Sequence, residues 1–334
     1  MSGIHIVDGN SICHAAHNAT RLSVGDMETQ AIFGTLKAVQ KIALKDPDWD
    51  ILVLWDGKAQ WRFDLCPEYK GTRKATNEKE QASKDSYKRQ SPFVRKGLQL
   101  MGVRQLVASS AEADDMGGLM VKKLSALGKQ IKLTTGDKDW LQLVRPGVVW
   151  FDPIRDRSCN ISNFFEFTGY KTPEQFLDGK ALMGDSSDNI CGVGGIGEKG
   201  APEFLSEFGS VARFYELVEA GKFVPKKKAH QNLCGNITKE DWMKTYSGGR
   251  GDDVAREKHA EAWPGQGRLI FERNRKLMNL LDVPTPPKED VTVMLPTPNR
   301  DAFKALCERL AFHSILREFD SFLAPFEQRA ARAA

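Results

Sequence analysis

The chain has 334 residues, 41% hydrophobic and 28% charged, which suits one large or two ordinary globular domains and argues against wholesale disorder. Its net charge of +4 excludes a histone-like polycation but allows a local basic patch. Six widely spaced cysteines without a C-x-x-C pair argue against a zinc or disulfide scaffold. No apolar run reaches the roughly 18 residues of a membrane span. We therefore expect a cytoplasmic protein with no membrane partner.

The first half of the chain alternates short apolar runs with helical patterns. Such alternation predicts an α/β fold with a mostly parallel central sheet. In chain order we predict a strand at 4–8, a helix at 27–45, strands at 51–55 and 103–108, a helix at 113–127 and a strand at 131–135.

Acidic side chains follow these predicted strands. Asp8, Asp56, Asp137 and Asp139 all stand just past a strand's carboxyl end, the edge of an open parallel sheet where ligands collect. An aspartate in such a place is also an ordinary turn former or helix N-cap, so each one alone is ambiguous. Together, four converging carboxylates would repel one another unless cations held them, which favours a metal site.

Further acids stand at two other element boundaries. Two or three of these acids stand at the start of the predicted helix at 113–127. The helix dipole favours negative charge there, which is enough to explain the presence of one or two of them. These additional acids are Glu112, Asp114 and Asp115 in Ala-Glu-Ala-Asp-Asp, and Asp185 and Asp188 in Gly-Asp-Ser-Ser-Asp-Asn.

The segment 67–97 contains nine basic and four acidic residues and few large apolar residues before Phe93. We expect it to bury little and to be mobile without a ligand. Charge alone fits a solvated helical face, but beside an acidic metal centre it favours a strip that attracts phosphates.

The second half of the chain has a different character. A glycine-rich turn at 192–197 opens into a helical pattern and could offer backbone N–H groups to phosphates, although a lone G-x-G-x-x-G is a weak signal. No buried strand precedes it, which argues against a dinucleotide-binding oxidoreductase. A polar insert with little periodicity follows at 221–268, and the tail at 300–326 is helical by pattern.

The ordered motifs resemble the 5′-nuclease family, which includes flap endonucleases, the 5′-nuclease domain of DNA polymerase I and phage 5′→3′ exonucleases. The matching stretches cover most of the chain. They are Ile-Val-Asp-Gly-Asn at 6–10, Thr-Gln-Ala-Ile-Phe-Gly at 29–34, Leu-Trp-Asp-Gly-Lys at 54–58, Pro-Glu-Tyr-Lys-Gly-Thr-Arg at 67–73, Ala-Glu-Ala-Asp-Asp at 111–115, Thr-Gly-Asp-Lys-Asp-Trp-Leu-Gln-Leu at 135–143, Met-Gly-Asp-Ser-Ser-Asp-Asn-Ile at 183–190, Gly-Val-Gly-Gly-Ile-Gly-Glu-Lys at 192–199 and the tail at 306–319.

The resemblance implies a PIN-like α/β fold with helices on both faces of the sheet, a helical arch at about 67–97 and a helix–hairpin–helix region. It implies a catalytic domain at 1–175 and a DNA-binding and C-terminal helical region at 176–334. The insert at 221–268 departs from the polymerase I relatives and looks more like the small phage exonucleases. Carrying over a flap-enzyme substrate preference is therefore unsafe.

The resemblance also implies a two-metal centre with two Mg²⁺ ions, or Mn²⁺ as a substitute. Asp8, Asp56, Glu112 and Asp114 would surround the first ion. Asp115, Asp137, Asp139 and Asp188 would serve the second, with Asp185 acting through water.

Lys70 and Arg73 match the family's active-site cations and would hold the scissile phosphate. Tyr69 or Phe93 could stack on a base or merely pack. The hairpin would grip duplex phosphates and could hold K⁺. The residues expected to contact DNA are Arg62, Lys74, Lys84, Lys88, Arg89, Gly192, Gly194, Gly195, Gly197 and Lys199.

We therefore expect a monomeric nuclease that acts on DNA with a 5′ end, a flap or a duplex/single-strand junction, in company with replication proteins. Exonuclease and flap endonuclease activity remain open alternatives. The rival functions are a structure-specific DNA-binding protein with a non-catalytic nuclease-like centre and a toxin-like ribonuclease. The complete acidic set argues against the first, and the chain's length argues against the second.

Overall fold

The computed structural model describes residues 3–235, 238–244, 253–261 and 267–333. The strands are β1 (Gly3–Asp8), β2 (Ser23–Val24), β3 (Met27–Glu28), β4 (Asp50–Trp55), β5 (Arg104–Ala108), β6 (Gln130–Thr134), β7 (Val148–Asp152), β8 (Arg157–Cys159), β9 (Gly184–Asp185), β10 (Ile190–Cys191) and β11 (Val291–Met294). The helices are α1 (Gly9–Ala19), α2 (Gln30–Lys45), α3 (Gln60–Leu65), α4 (Glu78–Leu100), α5 (Ala113–Ala126), α6 (Phe164–Thr168), α7 (Pro173–Met183), α8 (Gly200–Phe208), α9 (Val211–Glu219), α10 (Lys228–Cys234), α11 (Lys239–Lys244), α12 (Asp253–Glu261), α13 (Gly267–Met278), α14 (Arg300–Arg309), α15 (His313–Arg317) and α16 (Phe319–Ala333).

The chain divides into two compact units. Unit 1 consists of Met1–Lys58, Ala75–Cys159 and Val283–Ala334, and unit 2 consists of Ala59–Lys74 and Asn160–Asp282. This division differs from the expected boundary after residue 175. The C-terminal helices return to the sheet of unit 1, and the short segment that carries Lys70 and Arg73 belongs to unit 2.

A seven-stranded sheet forms the centre of unit 1, with the strand order β11-β5-β4-β1-β6-β7-β8. The five strands from β5 to β7 in this order are all parallel, and the two edge strands β8 and β11 are antiparallel. The predicted, mostly parallel α/β sheet is therefore confirmed. Each predicted strand begins and ends within one residue of an observed one.

Helices cover both faces of this sheet. Val7 and Val53 belong to a buried cluster that includes Leu36 of α2 and Phe303 of α14. Because neighbouring strand residues point to opposite faces, the buried Ile6 and Leu54 face the other side, and α5 lies along β1, β4, β5 and β6. The predicted helical tail thus contributes to the main core of unit 1.

The basic segment at 67–97 is more ordered than the sequence suggests. From Glu78 onward it belongs to the single helix α4, whose N-cap Asn77 accepts a hydrogen bond from the Glu80 N–H. The expectation that the segment buries little is wrong, because Glu68 and Tyr69 are buried near its start and a buried face begins at Ser86. Ser86, Gln90, Val94 and Gly97 form a buried face at helical spacing. Polar residues can occupy this face because Gln90 Oε1 accepts from the Ala31 N–H at 2.8 Å.

Unit 2 is built mainly from helices around the short β9–β10 hairpin. The buried Asn274 side chain of α13 donates to the carbonyls of Ala181 and Cys191, at 3.0 and 2.7 Å, and so joins α13 to α7 and β10. The insert at 221–268 contains the short helices α10, α11 and α12. Its segments 236–237, 245–252 and 262–266 lie outside the described residues.

Candidate active site

Three acids of unit 1 lie at the carboxyl ends of adjacent strands. Asp8 is the last residue of β1, Asp56 follows β4, and Asp137 follows β6. Since β1 lies between β4 and β6 and all three are parallel, these acids share one edge of the sheet, as predicted. Asp139 lies two residues beyond Asp137, in a 3₁₀ helix at Lys138–Leu143.

The start of α5 is attached directly to this edge. The Ala113 N–H donates to Asp56 Oδ1 at 2.8 Å, and the Gly57 N–H donates to the Ala111 carbonyl at 2.9 Å. A Cβ at Gly57 would lie only 1.9 Å from the Ala108 carbonyl oxygen, so this approach requires glycine. These contacts bring the acids of the first turn of α5 beside Asp56.

Glu112 and Asp115 contribute to the start of α5 as well as to the acidic edge. The Asp115 carboxylate is fully buried and accepts from the Glu112 N–H at 2.9 Å. Helix capping therefore explains part of the sequence pattern at 112–115, in line with the alternative that acids at a helix start stabilise the helix. Capping gives no reason for the proximity of Asp114 to the strand-end acids.

The acids perturb one another electrostatically. Burial, followed among the raising causes by the charge of Asp56, raises the pKa of Asp8 to about 6. Burial and then the charges of Asp137, Asp8 and Asp56 raise the pKa of Asp114 well above its usual value. Mutual repulsion of this kind is what an added cation would relieve.

Several side chains position these acids without being acidic themselves. Thr135 Oγ1 donates to Asp8 Oδ2 at 2.9 Å and accepts from the Asp137 N–H at 3.0 Å. Trp140 Nε1 donates to Asp114 Oδ1 at 2.7 Å. Both residues stand inside the motif at 135–143, but their roles depend on contacts across the sheet edge that spacing alone does not reveal.

The donor set suits a hard divalent cation, since every acid offers only oxygen. Within the described residues, however, no group of three or more His, Cys, Asp or Glu side chains is already arranged to hold a metal ion. Oxygens of Asp8, Asp56 and Asp114 instead accept hydrogen bonds from protein groups. A carboxylate oxygen that accepts one hydrogen bond keeps a lone pair for a cation, so these contacts orient the acids without blocking them.

The two remaining predicted acids, Asp185 and Asp188, and the predicted catalytic cations Lys70 and Arg73 lie in unit 2. Arg73 donates to the Asp188 carboxylate, and Tyr69 Oη donates to the same carboxylate at 3.2 Å. The Lys70 N–H donates to the Asp188 carbonyl at 2.8 Å. Lys70 itself has a φ of 53°, a left-handed conformation that is costly for a residue with a side chain.

Asp185 is held by its own neighbours in unit 2. Lys180 Nζ lies 2.6 Å from Asp185 Oδ2, and the Ser187 hydroxyl donates to Oδ1 at 2.6 Å. Burial acts to raise the pKa of Asp185, but the Lys180 charge and these hydrogen bonds bring it below its ordinary value. Its carboxylate is thus ionised and already paired.

The glycine-rich turn of unit 2 has the backbone that its sequence predicts. Gly194 and Gly195 have φ values of 89° and 79°, which favour glycine, and a Cβ at Gly192 would lie 2.2 Å from the Met183 carbonyl oxygen. The Gly194 carbonyl accepts from Asn232 Nδ2 at 3.2 Å. The predicted K⁺ site at this turn stays a prediction.

The predicted DNA-contacting side chains divide into exposed and buried residues. Exposed residues among them are Lys74, Lys88, Arg89, Gly195, Gly197 and Lys199, and partly exposed ones are Lys84, Gly192 and Gly194. Their contact with DNA stays a prediction.

Arg62 does not fit the prediction of a DNA contact. It is only 3% exposed and donates from Nε to the Leu277 carbonyl at 3.1 Å. Tyr69 and Phe93 likewise pack against buried clusters, which favours their packing role.

The comparisons with known proteins identify the family. The model described as "5′-3′ exonuclease, N-terminal resolvase-like domain" matches residues 3–169, and the model described as "5′-3′ exonuclease, C-terminal SAM fold" matches residues 171–245. The chain belongs to the 5′–3′ exonuclease family. The resemblance inferred from the motifs is confirmed, and so is the assignment to a family of nuclease hydrolases.

Relatives of similar sequence include bacterial DNA polymerases. DNA polymerase I of Lactococcus lactis is 32% identical over 247 residues, which cover 69% of this chain and 27% of the relative. The thermostable DNA polymerase I of Thermus thermophilus is 30% identical over 323 residues, which cover 96% of this chain and 33% of the relative. The chain therefore spans about a quarter to a third of the length of these relatives.

Solved structures of two other proteins share the fold. The bacteriophage T5 flap endonuclease, solved with DNA and metal ions, has a TM-score of 0.63 at 22% identity and covers 98% of this chain and 100% of its own. The catalytic core of Rad2 with a DNA substrate has a TM-score of 0.52 at 16% identity, covering 97% and 91%. Among the described residues, none of the helices has the length and apolar character needed to cross a membrane.

Proposed function

We propose that this chain hydrolyses DNA phosphodiesters at or near 5′ ends, as a 5′→3′ exonuclease, a 5′-flap endonuclease or both, with bound divalent metal ions. The observation that carries the proposal is the placement of Asp8, Asp56 and Asp137 at one sheet edge, with the first turn of α5, which contains Asp114, bonded to Asp56. Family membership and the DNA bound to the T5 and Rad2 structures support the substrate class.

Magnesium is the proposed cofactor because the acids offer only oxygen ligands and the T5 flap endonuclease was solved with metal ions. When bound, two such ions activate a water and stabilise the leaving 3′ oxygen. Asp8, Asp56, Glu112, Asp114, Asp115, Asp137 and Asp139 of unit 1 are the proposed ligands, together with Asp185 and Asp188 of unit 2. The assignment of each acid to one ion remains a prediction.

The protein's own groups have separate proposed tasks. Thr135 and Trp140 orient the carboxylates of Asp8 and Asp114 through the hydrogen bonds described above. Lys70 and Arg73 bind and neutralise a phosphate of the cut strand. Lys199 and the glycine-rich turn hold phosphates of the duplex.

The deciding experiment compares two 5′-labelled substrates, a blunt duplex and a duplex with a 5′ flap, in Mg²⁺ and in EDTA. Release of mononucleotides from the blunt duplex indicates exonuclease activity, and one long product from the flap indicates endonuclease activity. We expect cleavage in Mg²⁺ and none in EDTA.

The same samples test the rival function. Tight binding of the flap duplex without cleavage in either Mg²⁺ or Mn²⁺ would overturn the proposal. That result would favour a structure-specific DNA-binding protein with a non-catalytic centre. Monomeric state and association with replication proteins remain predictions, which light scattering and pull-down with purified proteins would test.

A further inference from the structure

A second basic site lies in unit 2, between the glycine-rich motif at 192–199 and the C-terminal motif at 306–319. A cavity of about 430 Å³ is lined by Glu207 of α8, by Lys222, Phe223, Val224, Lys226 and Lys227 of the segment that follows α9, and by His230 of α10. Three lysines and one glutamate among the lining residues leave a local excess of two positive charges. Such a cavity attracts anions rather than cations.

The lysines come from a run with no acidic residue. Residues 221–228 read Gly-Lys-Phe-Val-Pro-Lys-Lys-Lys, and Lys222, Lys226 and Lys227 are exposed at the cavity. Exposed lysines alone are a weak sign of a binding site, because a solvated basic loop would look the same. A built site needs a polar group that is committed to it.

His230 is such a group. It is only 5% exposed, it lines the cavity, and its Nδ1 has no hydrogen-bond partner within the described part of the chain. The rings of Phe204, Phe208 and Phe214 surround it at centroid distances of 5.5 to 5.6 Å. Nδ1 itself is closed to solvent, so a ligand in the cavity would meet the other ring nitrogen, Nε2, for which no hydrogen bond is present within the described residues. A buried histidine with no hydrogen-bond partner inside the described fold points to a ligand.

The chemistry of His230 fits an anionic ligand. Burial and then the charge of Lys227 lower the pKa of His230, so its ring is neutral at neutral pH and carries one N–H donor. A neutral donor flanked by mobile ammonium groups suits a phosphate oxygen. Because the His230 ring is neutral, it can donate to the phosphate without placing a positive charge among the phenylalanine rings.

The helix that carries His230 also contacts the glycine-rich turn. Asn232 Nδ2 donates to the Gly194 carbonyl at 3.2 Å, and Ala229 lies 3.4 Å from the position a Cβ would take at Gly195. One short helix therefore joins the cavity to the turn expected to grip duplex DNA. Phosphates along a DNA strand form a continuous row, so a second phosphate site beside the first would meet the same duplex.

We propose that the cavity lined by Lys222, Lys226, Lys227 and His230 binds a backbone phosphate of the duplex DNA. The site adds to the glycine-rich turn and is supplied by the insert at 221–268. This proposal rests on the proposed DNA substrate but not on cleavage. It assigns the insert a task in holding the duplex.

The test measures DNA affinity against salt concentration in Ca²⁺, where binding can be followed without relying on turnover. The triple variant Lys222→Ala/Lys226→Ala/Lys227→Ala should bind a flap duplex about tenfold more weakly near 0.1 M salt. The slope of log K against log salt should become less negative by about 0.9 or more, because at least one phosphate contact is lost.

A charge-matched control is Lys122→Ala/Lys123→Ala/Lys129→Ala. These exposed lysines lie near the end of α5 and just before β6, at the amino edge of the parallel strands, whereas the acids lie at the carboxyl edge. The control should keep the wild-type affinity and slope. Equal loss in both triple variants would show a general charge effect and overturn the proposal.

His230→Phe separates binding from folding. The phenyl ring fits an aromatic surrounding and removes the unsatisfied nitrogen, so stability should be unchanged or higher, while DNA affinity falls about threefold or more. Unchanged affinity in this variant and in the pocket triple variant would overturn the proposal.

Two further outcomes distinguish the sources of phosphate and the two proposals. Inorganic phosphate that shifts the His230 NMR signals saturably, with DNA affinity unchanged in the variants, would make this a site for a free anion and overturn the DNA assignment. Weaker DNA binding by the variants of a protein that cuts no DNA would support this site and refute the proposed nuclease function.

Discussion

The Arg73 guanidinium donates a hydrogen bond to the Asp188 carboxylate. The sequence assigns these two residues different tasks, phosphate binding for Arg73 and metal binding for Asp188, yet in the structure they neutralise each other. Tyr69 Oη holds the same carboxylate at 3.2 Å. Either task therefore competes with this pair, because a phosphate at Arg73 or a cation at Asp188 would weaken the attraction between the two side chains.

Replacing Arg73 should separate stability from catalysis. The Arg73 side chain is 54% exposed, so its pair with Asp188 contributes less than about 1 kcal/mol, and Arg73→Ala should change the unfolding free energy by no more than that. Its single-turnover cleavage rate should fall about a hundredfold if Arg73 neutralises the phosphate. Urea unfolding and rapid quench measure the two effects. The cleavage rate of Arg73→Lys should be intermediate, because lysine keeps the charge but lacks the planar guanidinium with its paired N–H donors. An unaffected rate in Arg73→Ala would show that Arg73 has only a structural role.

Lys70 tests whether a strained backbone position serves function. Its φ of 53° is one that glycine adopts without strain, so Lys70→Gly should be at least as stable as the wild type, by up to about 1 kcal/mol. The same variant should lose about a hundredfold in single-turnover rate, since the ammonium group is gone. Calorimetry and rapid quench give both values. A stable Lys70→Gly enzyme with normal cleavage would refute a catalytic Lys70.

The acidic edge predicts which carboxylates matter for cutting. Asp8→Asn, Asp137→Asn and Asp188→Asn should each abolish cleavage in Mg²⁺ while leaving DNA binding nearly intact. Asp152→Asn is the matched control, because Asp152 also ends a neighbouring parallel strand but is held by Arg155 and Arg157. It should lose stability and still cut. Normal cleavage by Asp8→Asn and Asp137→Asn would refute the metal assignment.

Two adjacent threonines distinguish site geometry from ordinary packing. Thr135→Val removes the hydroxyl that joins Asp8 to the Asp137 N–H, and it should lower both stability and cleavage rate, the rate by about tenfold. Thr134→Val removes a hydroxyl that bonds only His5 in the described contacts, at 2.9 Å, and should lower stability alone. Parallel unfolding and rate measurements test the pair. Equal rates in the two variants would deny Thr135 a positioning role.

His5 predicts a stability loss in acid. Burial, followed by the Lys132 charge, lowers its pKa from 6.5 to about 4. Between these values the unfolded chain binds the proton and the folded chain does not, so the stability is full above pH 6.5 and is lost as the pH falls towards 4. The difference is worth at most about 3 kcal/mol. Urea unfolding from pH 7 to 4.5 should show a shallower decline in His5→Gln than in the wild type, and identical slopes would contradict the assignment.

The sequence anticipated the sheet and its acidic edge because both depend on local pattern. Apolar runs give strands, strands alternating with helices give a parallel sheet, and an acid just past a strand must lie at the carboxyl edge. β1, β4 and β6 with Asp8, Asp56 and Asp137 follow this logic directly. The sequence did not predict the buried face of the basic segment. Ser86 and Gln90 of α4 are polar residues, which are usually exposed, and hydrogen bonds such as the one that Gln90 accepts allow their burial.

The sequence by itself determined the family, the parallel sheet and the placement of Asp8, Asp56 and Asp137 at its carboxyl edge, since residue type and spacing are enough for each. Only the tertiary structure showed that Thr135 links Asp8 to Asp137, that Gly57 admits α5 to the acidic edge, and that Arg62 is buried. It also placed the C-terminal helices in unit 1 and paired Arg73 with Asp188. These contacts are between residues that lie far apart in the sequence, and the periodicity of residue types along the chain carries no information about them.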